Sequence, residues 1–193
     1  LMERLDIQPL SQPVGLTPEA LDALMEERQA AIHNTLNDWI KGHLEEFWGG
    51  LDSLVSANDR RAISVAAAKG HELFWVTARP SRGRIAKVVA DITLAWLQQH
   101  DLPVDVKHLF LTPKKSRVLA EQHIQYHLDD LVPHATEIAF NSQAKVYLLK
   151  QPWNRHMIFR HVDELDYTAE AGAFGIPEVD SIAEYITLIT DGK

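Results

Sequence analysis

The 193-residue chain contains no cysteine, which excludes disulfide bonds, thiolate metal sites and cysteine nucleophiles. It also lacks a long apolar run: no stretch approaches the roughly 18 residues that a membrane-spanning helix needs, and no signal peptide is visible. Basic residues are outnumbered, with 19 Lys and Arg against 27 Asp and Glu, so the net charge is −8 with the ten His neutral. Such a chain is not suited to bind nucleic acid or anionic membranes by bulk attraction. We therefore expect a cytoplasmic protein with no membrane partner.

The composition is that of a compact folded chain. Hydrophobic residues make up 46% and charged residues 24% of the sequence, proportions unlike those of disordered, collagen-like or coiled-coil proteins. The length is that of one structural domain, and no internal repeat or long linker divides it. The sequence begins Leu1-Met2, and we expect that residue 1 is not the natural start of the protein.

The pattern of apolar residues in the sequence changes at the glycine pair Gly49-Gly50. Before it, the segment Thr17–Trp48 opens with a helix-start signal, a threonine followed by a proline, and its apolar residues recur near helical spacing. After it, short apolar runs alternate with helical patterns. We therefore expect a helical cap region with its N-terminal lead-in over residues 1–50 and an α/β core over residues 51–193.

Helices and strands are predicted to alternate in the core. Unbroken apolar runs that follow turns are typical of strands covered on both faces, and Gly70 suits the left-handed position that ends a helix. Strands separated by helices imply right-handed crossovers and a mostly parallel sheet, with sites at the carboxyl ends of its strands. We predict helices over 60–69, 82–99, 115–125 and 177–190, and strands over 73–76, 109–111, 126–128, 145–149 and 159–162.

Polar residues follow three of these strands. Thr77-Ala78-Arg79-Pro80 follows the first, Lys114-Lys115 opens a helix after the second, and Asp129-Asp130 ends the third. Each alone has an ordinary structural explanation, as a helix cap, a solvated lysine or a turn. Together they are what phosphoryl chemistry requires, because a hydroxyl and amides bind phosphate oxygens, an ammonium neutralises charge and a carboxylate holds Mg²⁺.

These residues resemble conserved motifs of the haloacid dehalogenase (HAD) superfamily. The segment 74–80 is similar to motif II, Lys115 to motif III and Asp129-Asp130 to motif IV, and the short spacing from the lysine to the paired Asp resembles the 5′(3′)-deoxyribonucleotidase-like branch. The likeness covers roughly residues 45–190. It implies a HAD-like Rossmannoid α/β fold with three layers, a mostly parallel sheet and a small helical cap. Further resemblance lies in Thr93-Leu94-Ala95-Trp96-Leu97, Gln151-Pro152-Trp153-Asn154 and Arg160-His161-Val162.

The resemblance also implies roles for matching residues that bind the phosphoryl group. Thr77 would hydrogen-bond this group, with help from the Ala78 amide. Lys115 would steady the phosphate and the charge of the nucleophile, or Lys114 would do so if the register is shifted by one.

The remaining matches concern the metal and the substrate. Either Asp129 or Asp130 would coordinate Mg²⁺, and the other would orient a water or the lysine. Arg79 begins a basic loop with Arg82 and Arg84, and it is a candidate for contact with substrate phosphate because its guanidinium matches phosphate oxygens.

One motif of the family is not found. HAD enzymes use an Asp nucleophile and a second Asp two residues later, and no such D-x-D with the expected turn occurs here. The nearest segment, Asp6-Ile7-Gln8, has Gln in the second position, and the segment 1–5 is too charged for a central strand. We expect that the first strand and its nucleophile lie upstream of Leu1. The alternative is a degenerate member that binds phosphate but forms no phospho-enzyme.

The sequence therefore predicts a Mg²⁺-dependent phosphatase of HAD type, a nucleotidase that acts on (deoxy)nucleoside monophosphates through an aspartyl-phosphate. Its partner would be a small phosphorylated metabolite, and the choice between a monomer and a homodimer stays open. A catalytically degenerate HAD-like binding or structural protein is the second hypothesis. A polynucleotide 3′-phosphatase is the third, and the net charge of −8 argues against nucleic acid as a partner.

Two other signals have ordinary explanations. His123 and His127 lie four residues apart on a predicted helix, but the metalloprotease pattern needs Glu after the first His, and Ile124 stands there. Trp153 and Phe159 are more typical of packing residues than of platforms that stack on bases. We therefore interpret these four residues as surface or packing residues.

Overall fold

The computed structural model describes residues 34–35, 38–79, 83, 85–152, 154 and 175–191. The chain divides into two compact units, Leu1–Leu51 and Asp52–Lys193. Several sequence predictions lie outside the described residues: the first part of the 17–48 helix, the Asp6 segment, Pro80, Arg82, Arg84, Trp153 and the predicted strand 159–162 with its neighbours.

The described residues of the first unit are helical. Residues 38–42 form an α-helical segment, and Glu45–Gly49 forms a π-helical turn. This turn ends at Gly50, where a Cβ would lie 2.5 Å from the carbonyl oxygen of Glu46, so that only glycine fits. The helical pattern predicted for this region is confirmed for the part that is described.

The second unit contains helices and strands in alternation. None of its described helices combines the length and the apolarity needed to cross a membrane. The helices are α1 (Ala57–Ala68), α2 (Ile85–Gln99), α3 (Lys115–Glu121), α4 (Val132–Asn141) and α5 (Ile182–Asp191), and the strands are β1 (Trp75–Thr77), β2 (Leu109–Leu111), β3 (Tyr126–Asp129), β4 (Lys145–Leu149) and β5 (Glu178–Val179).

The strands form two parallel sheets. In the first, β1 pairs with β2 and Thr77 lies opposite Leu111. In the second, the order is β3-β4-β5 and Asp129 lies opposite Leu148. Helices α2 and α4 connect paired parallel strands, as parallel pairing demands, and α3 connects β2 of the first sheet to β3 of the second. The predicted α/β class with parallel strands is therefore confirmed.

Two apolar clusters hold these strands in place. The first combines residues of α3, α4 and β4 with Ile176, and Val76 of β1 packs against it. The second consists of Ile63, Leu97 and Leu102, with Trp75 of β1 packed against it. Strand β1 is therefore anchored by both clusters. The buried members of the first cluster are Leu119, Val132, Ala135, Ile138, Val146, Leu148 and Ile176.

A buried carboxylate ties the first helix of this unit to the last. Ser56 Oγ accepts the Asp59 N–H at 3.1 Å and Asp59 Oδ2 accepts the Ser56 N–H at 3.2 Å, a reciprocal cap at the start of α1. The second oxygen of Asp59, Oδ1, accepts the N–H of Ala183 in α5 at 2.8 Å. Asp59 therefore fixes α5 against α1.

Two helices end next to residues whose backbone has a left-handed conformation. Gly70 has a φ of 87° and ends α1, as predicted. Helix α3 ends at Glu121 rather than at residue 125, because His123 has a φ of 53° and its N–H turns back to the Ala120 carbonyl. His127 lies in β3, so the prediction that His123 and His127 share a helix is wrong.

Other elements also differ from the sequence prediction. Strand β1 begins at Trp75, later than predicted. Helix α4 was not predicted: it begins at Val132, two residues after Asp130, with Pro133 in its first turn, where the missing N–H leaves no hydrogen bond broken. The predicted helix 177–190 starts later, at Ile182, because the residues before it form β5.

Candidate functional site

A groove of about 650 Å³ lies between β1 and β3 and is lined by residues of both strands. Four of the predicted site residues line it: Thr77, Lys115, Asp129 and Asp130. Thr77 and Asp129 are the last residues of their strands, and Lys115 is the first residue of the helix that follows β2. The fold therefore brings three separate chain segments together at one groove.

The groove contains a buried ion pair. Lys115 Nζ lies 2.6 Å from Asp129 Oδ2, and the two side chains are 10% and 1% exposed. Burial of either charge alone would cost several kcal/mol, so each depends on the other for compensation. Because an ammonium has three N–H donors and this contact uses one, Lys115 keeps the capacity to bind an anion in the groove.

Two histidines that the sequence did not predict as site residues lie beside Asp129. His127 Nε2 is 3.2 Å from Oδ2, and His134 Nδ1 is 3.7 Å from Oδ1, which is too far for a hydrogen bond. The Leu131 N–H donates to Oδ1 at 3.0 Å. Burial raises the pKa of Asp129, but His127, His134 and Lys115 outweigh this and hold the pKa well below its ordinary value. Asp129 is therefore ionised at neutral pH.

The position of His127 had a signal in the sequence. Alternate residues of a strand share a face, so the assignment of β3 brings His127 and Asp129 to the same side of the sheet. His134 had no such signal, because it belongs to the first turn of the unpredicted helix α4.

Thr77 and Asp130 also line the groove. The Thr77 carbonyl accepts the Thr112 N–H at 2.8 Å, while its hydroxyl finds no hydrogen-bond partner among the residues that the structure describes. Asp130 is half-buried, and its carbonyl accepts from Asn154 Nδ2 at 2.8 Å. The same amide donates to the Leu149 carbonyl at 2.7 Å, so Asn154 joins the carboxyl ends of β3 and β4.

The other three predicted site residues do not line the groove. Ala78 and Lys114 are exposed, so Lys115 and not Lys114 is the lysine in the groove. The Arg79 guanidinium donates to Thr93 Oγ1 at 2.9 Å and lies 5.9 Å from the centre of the Trp96 ring. Burial against α2 lowers the pKa of Arg79.

The two oxygens of Asp129 differ in their capacity to bind a metal ion. Oδ2 contacts the Lys115 ammonium and His127, whereas Oδ1 accepts the Leu131 N–H and, as a carboxylate oxygen, keeps a second lone pair. Asp130, the other predicted ligand, lines the groove. Within the described ranges, no three His, Asp or Glu side chains cluster closely enough to hold a metal ion. The described residues therefore do not form a magnesium site by themselves.

Part of the chain is similar in sequence to a curated protein. The chain is 30% identical over 90 residues to a protein of Oceanobacillus iheyensis named "Putative nucleotidase". The matched stretch is 45% of this chain and 44% of that protein, so the chain spans less than half the length of the relative it matches.

No family model matches the chain. No solved structure matches it either.

Proposed function

We propose that this protein is a phosphomonoester hydrolase of the haloacid dehalogenase type, with nucleotidase-like activity toward (deoxy)nucleoside monophosphates. The observation that carries the proposal is the meeting of Thr77, Lys115 and Asp129-Asp130 in one groove. The similarity to a protein named as a nucleotidase supports the same class of substrate.

In the proposed site, Lys115 donates two of its N–H groups to phosphate oxygens while Asp129 holds the third. The Thr77 hydroxyl donates to another oxygen of the same phosphate. Asp129 acts through the lysine: it holds the ammonium in position inside a buried site, and His127 in turn orients the carboxylate. Charge neutralisation and positioning of this kind supply most of the catalysis in phosphoryl transfer.

The nucleophile of the proposed reaction is an aspartate side chain. Its carboxylate oxygen bonds to phosphorus as the ester P–O bond breaks, and the leaving alkoxide takes up a proton. Water then attacks the phosphorus of the aspartyl-phosphate, which releases orthophosphate and restores the carboxylate. Activity is expected to require Mg²⁺, to which Asp129 or Asp130 would contribute a carboxylate ligand.

The test is release of orthophosphate from p-nitrophenyl phosphate and from dAMP by the full-length protein. Release should require Mg²⁺, and Lys115→Met or Asp130→Asn should lower kcat/KM by at least about 100-fold, the usual cost of one lost transition-state contact. Arg117→Ala, on the exposed face of the same helix as Lys115, is the matched control and should retain activity. Lys114→Ala should also retain it, because Lys114 lies outside the groove.

Three other outcomes would contradict the proposed site or favour one of the alternative functions. Full activity in both Lys115→Met and Asp130→Asn would contradict the proposed site. Orthophosphate binding without turnover would indicate the degenerate phosphate-binding protein. Preference for 3′-phosphorylated oligonucleotides over mononucleotides would indicate the polynucleotide 3′-phosphatase.

A further inference from the structure

The turn that follows β4 is closed by two reciprocal hydrogen bonds. The Asn154 N–H donates to the Gln151 carbonyl at 3.1 Å, and the Gln151 N–H donates back to Asn154 Oδ1 at 2.8 Å. Pro152 occupies the second position of this turn, where its fixed φ suits the bend. The turn therefore holds the Asn154 side chain in place before any ligand binds.

The Asn154 amide lies where the pairing of β3 with β4 stops. The last residue pair of these strands is Asp129 with Leu148, and the chain bends at Asp130. The carbonyls of the two following residues, Asp130 and Leu149, both accept from Asn154 Nδ2, at 2.8 and 2.7 Å. One side chain therefore links the two residues that would form the next pair.

Asparagine has the hydrogen-bonding groups that this position requires. A primary amide carries two N–H donors and one acceptor oxygen, and the contacts of Asn154 use both donors and the oxygen. Among side chains of similar size, that of Asp offers only acceptors when ionised, and that of Leu offers neither donors nor acceptors. Either would remove the donor from two carbonyls at once.

The residues that Asn154 joins belong to the groove, although Asn154 itself does not line it. Asp130, Leu149 and Gln151 are all part of the lining. The rotamers open to a side chain depend on the conformation of its own backbone. Because Asn154 fixes the Asp130 carbonyl, it also limits the directions that the Asp130 carboxylate can take.

We propose that Asn154 is a positioning residue of the phosphatase site: it extends the link between β3 and β4 by one residue pair and thereby holds the Asp130 carboxylate toward the groove. This inference rests on the proposed function, in which Asp130 serves the hydrolysis of the phosphate ester. Since Asn154 does not line the groove, it acts through Asp130 and not on the substrate.

Asn154→Asp in the full-length protein tests the inference, because it keeps the size of the side chain and removes both donors. The value of kcat/KM for p-nitrophenyl phosphate and for dAMP should fall about 10–100-fold, the usual cost of losing a partner that orients an active-site group. Asn154→Ala, which adds no charge, should show the same loss. Circular dichroism checks that each variant is folded.

Asn141→Asp is the matched control. Asn141 Nδ2 also donates to a backbone carbonyl, that of Glu137 at 2.9 Å, but this contact is exposed and lies within α4. The control removes the same kind of hydrogen bond away from the groove, so it should retain activity. Full activity in both Asn154→Asp and Asn154→Ala would overturn the inference.

A second substitution separates positioning from a general loss of structure. In Asp130→Asn, the carboxylate that Asn154 positions is already absent, so adding Asn154→Asp should lower kcat/KM further by less than about threefold. A merely structural role of Asn154 would multiply the two losses instead. Multiplied losses would therefore overturn the inference.

NMR distinguishes this inference from the proposed function, because it needs no turnover. In the wild type, scalar couplings across hydrogen bonds should join Asn154 Nδ2 to the carbonyl carbons of Asp130 and Leu149. Three-bond couplings should show one χ1 rotamer for Asp130 in the wild type and averaging in Asn154→Asp. A wild type with these properties that releases no orthophosphate would overturn the proposed function and still support the positioning of Asp130. An active wild type without the couplings, or an Asp130 rotamer that Asn154→Asp leaves unchanged, would overturn the inference alone.

Discussion

The two sides of the groove differ in how their buried polar groups are compensated. On the β3 side, Lys115 and Asp129 are nearly excluded from solvent and satisfy each other, with His127 and a backbone N–H on the same carboxylate. On the β1 side, Thr77 is half-buried and lines the groove, and the Arg79 guanidinium donates to Thr93 of α2.

The two sides of the groove therefore differ in how far their polar groups are fixed before a ligand binds. The β3 side is already arranged before any ligand binds, because its charges are fixed by one another. The β1 side contributes a hydroxyl and little charge, since Arg79 is engaged by Thr93 and Trp96. Changes on the β3 side should therefore cost both stability and ligand binding, whereas changes around Arg79 should cost a modest amount of stability.

The largest effect is expected from Asp129→Ala. It leaves the Lys115 ammonium buried without its carboxylate, which typically costs about 3–5 kcal/mol in the free energy of unfolding. Urea denaturation followed by circular dichroism measures this directly.

A double variant tests whether the loss of stability in Asp129→Ala comes from the unpaired Lys115 charge. Lys115→Met with Asp129→Leu removes both charges and keeps apolar volume, so it should recover most of the stability lost in Asp129→Ala. If Asp129→Ala alone costs less than about 1 kcal/mol, the ion pair does not hold the β3 side together.

The pH dependence of the free energy of unfolding should show the contribution of the ionised Asp129. Since the folded-state pKa of Asp129 lies below its unfolded value, its contribution is fully present above the ordinary Asp pKa of about 4 and is lost as the pH falls below it. The difference in unfolding free energy between the wild type and Asp129→Asn should therefore be constant from pH 7 to 5 and shrink toward pH 3. A difference that grows on acidification would show that the pKa is raised instead.

A smaller effect is expected on the β1 side from Thr93→Val. Thr93 is buried, accepts from Arg79 and donates to the Val89 carbonyl at 2.6 Å, so the change removes two hydrogen bonds and should cost about 1–2 kcal/mol. Thermal unfolding checks the cost, and phosphate binding should be unchanged. Loss of phosphate binding in Thr93→Val would mean that Arg79 belongs to the site after all.

The smallest effect is expected from Lys87→Ala. Its partner Asp91 lies four residues along α2, and both side chains are largely exposed, at 85% and 64%. Exposed pairs of this kind contribute little, so the urea midpoint should stay within error of the wild type. A clear shift would mean that the contrast between buried and exposed charges is weaker than described.

The sequence predicted the features that depend on local pattern. Apolar runs located β2, β3 and β4, Gly70 marked a helix end, and the polar residues after β1, β2 and β3 predicted a common site at which Thr77, Lys115 and Asp129-Asp130 do meet. The role of these residues in hydrolysis stays a prediction, as do the magnesium ion and the aspartate nucleophile.

The sequence could not predict features that depend on tertiary contacts. Helix α4 begins two residues after a pair of acids that also suits a turn, and its presence brings His134 beside Asp129. The direction of Arg79 depends on Thr93 and Trp96 one helix away. Pairing of Lys115 with Asp129 depends on how α3 and β3 pack, which the spacing of 14 residues does not reveal.

Phosphate binding in this groove is tested most directly by titration of the full-length protein with orthophosphate, followed by NMR at the Lys115 ammonium and the Thr77 amide. Saturable shifts are expected at both groups, and they should be lost in Lys115→Met with the fold retained. Shifts that are absent at these groups, or that persist unchanged at Thr77 in the variant, would contradict the claim that this groove binds a phosphoryl group.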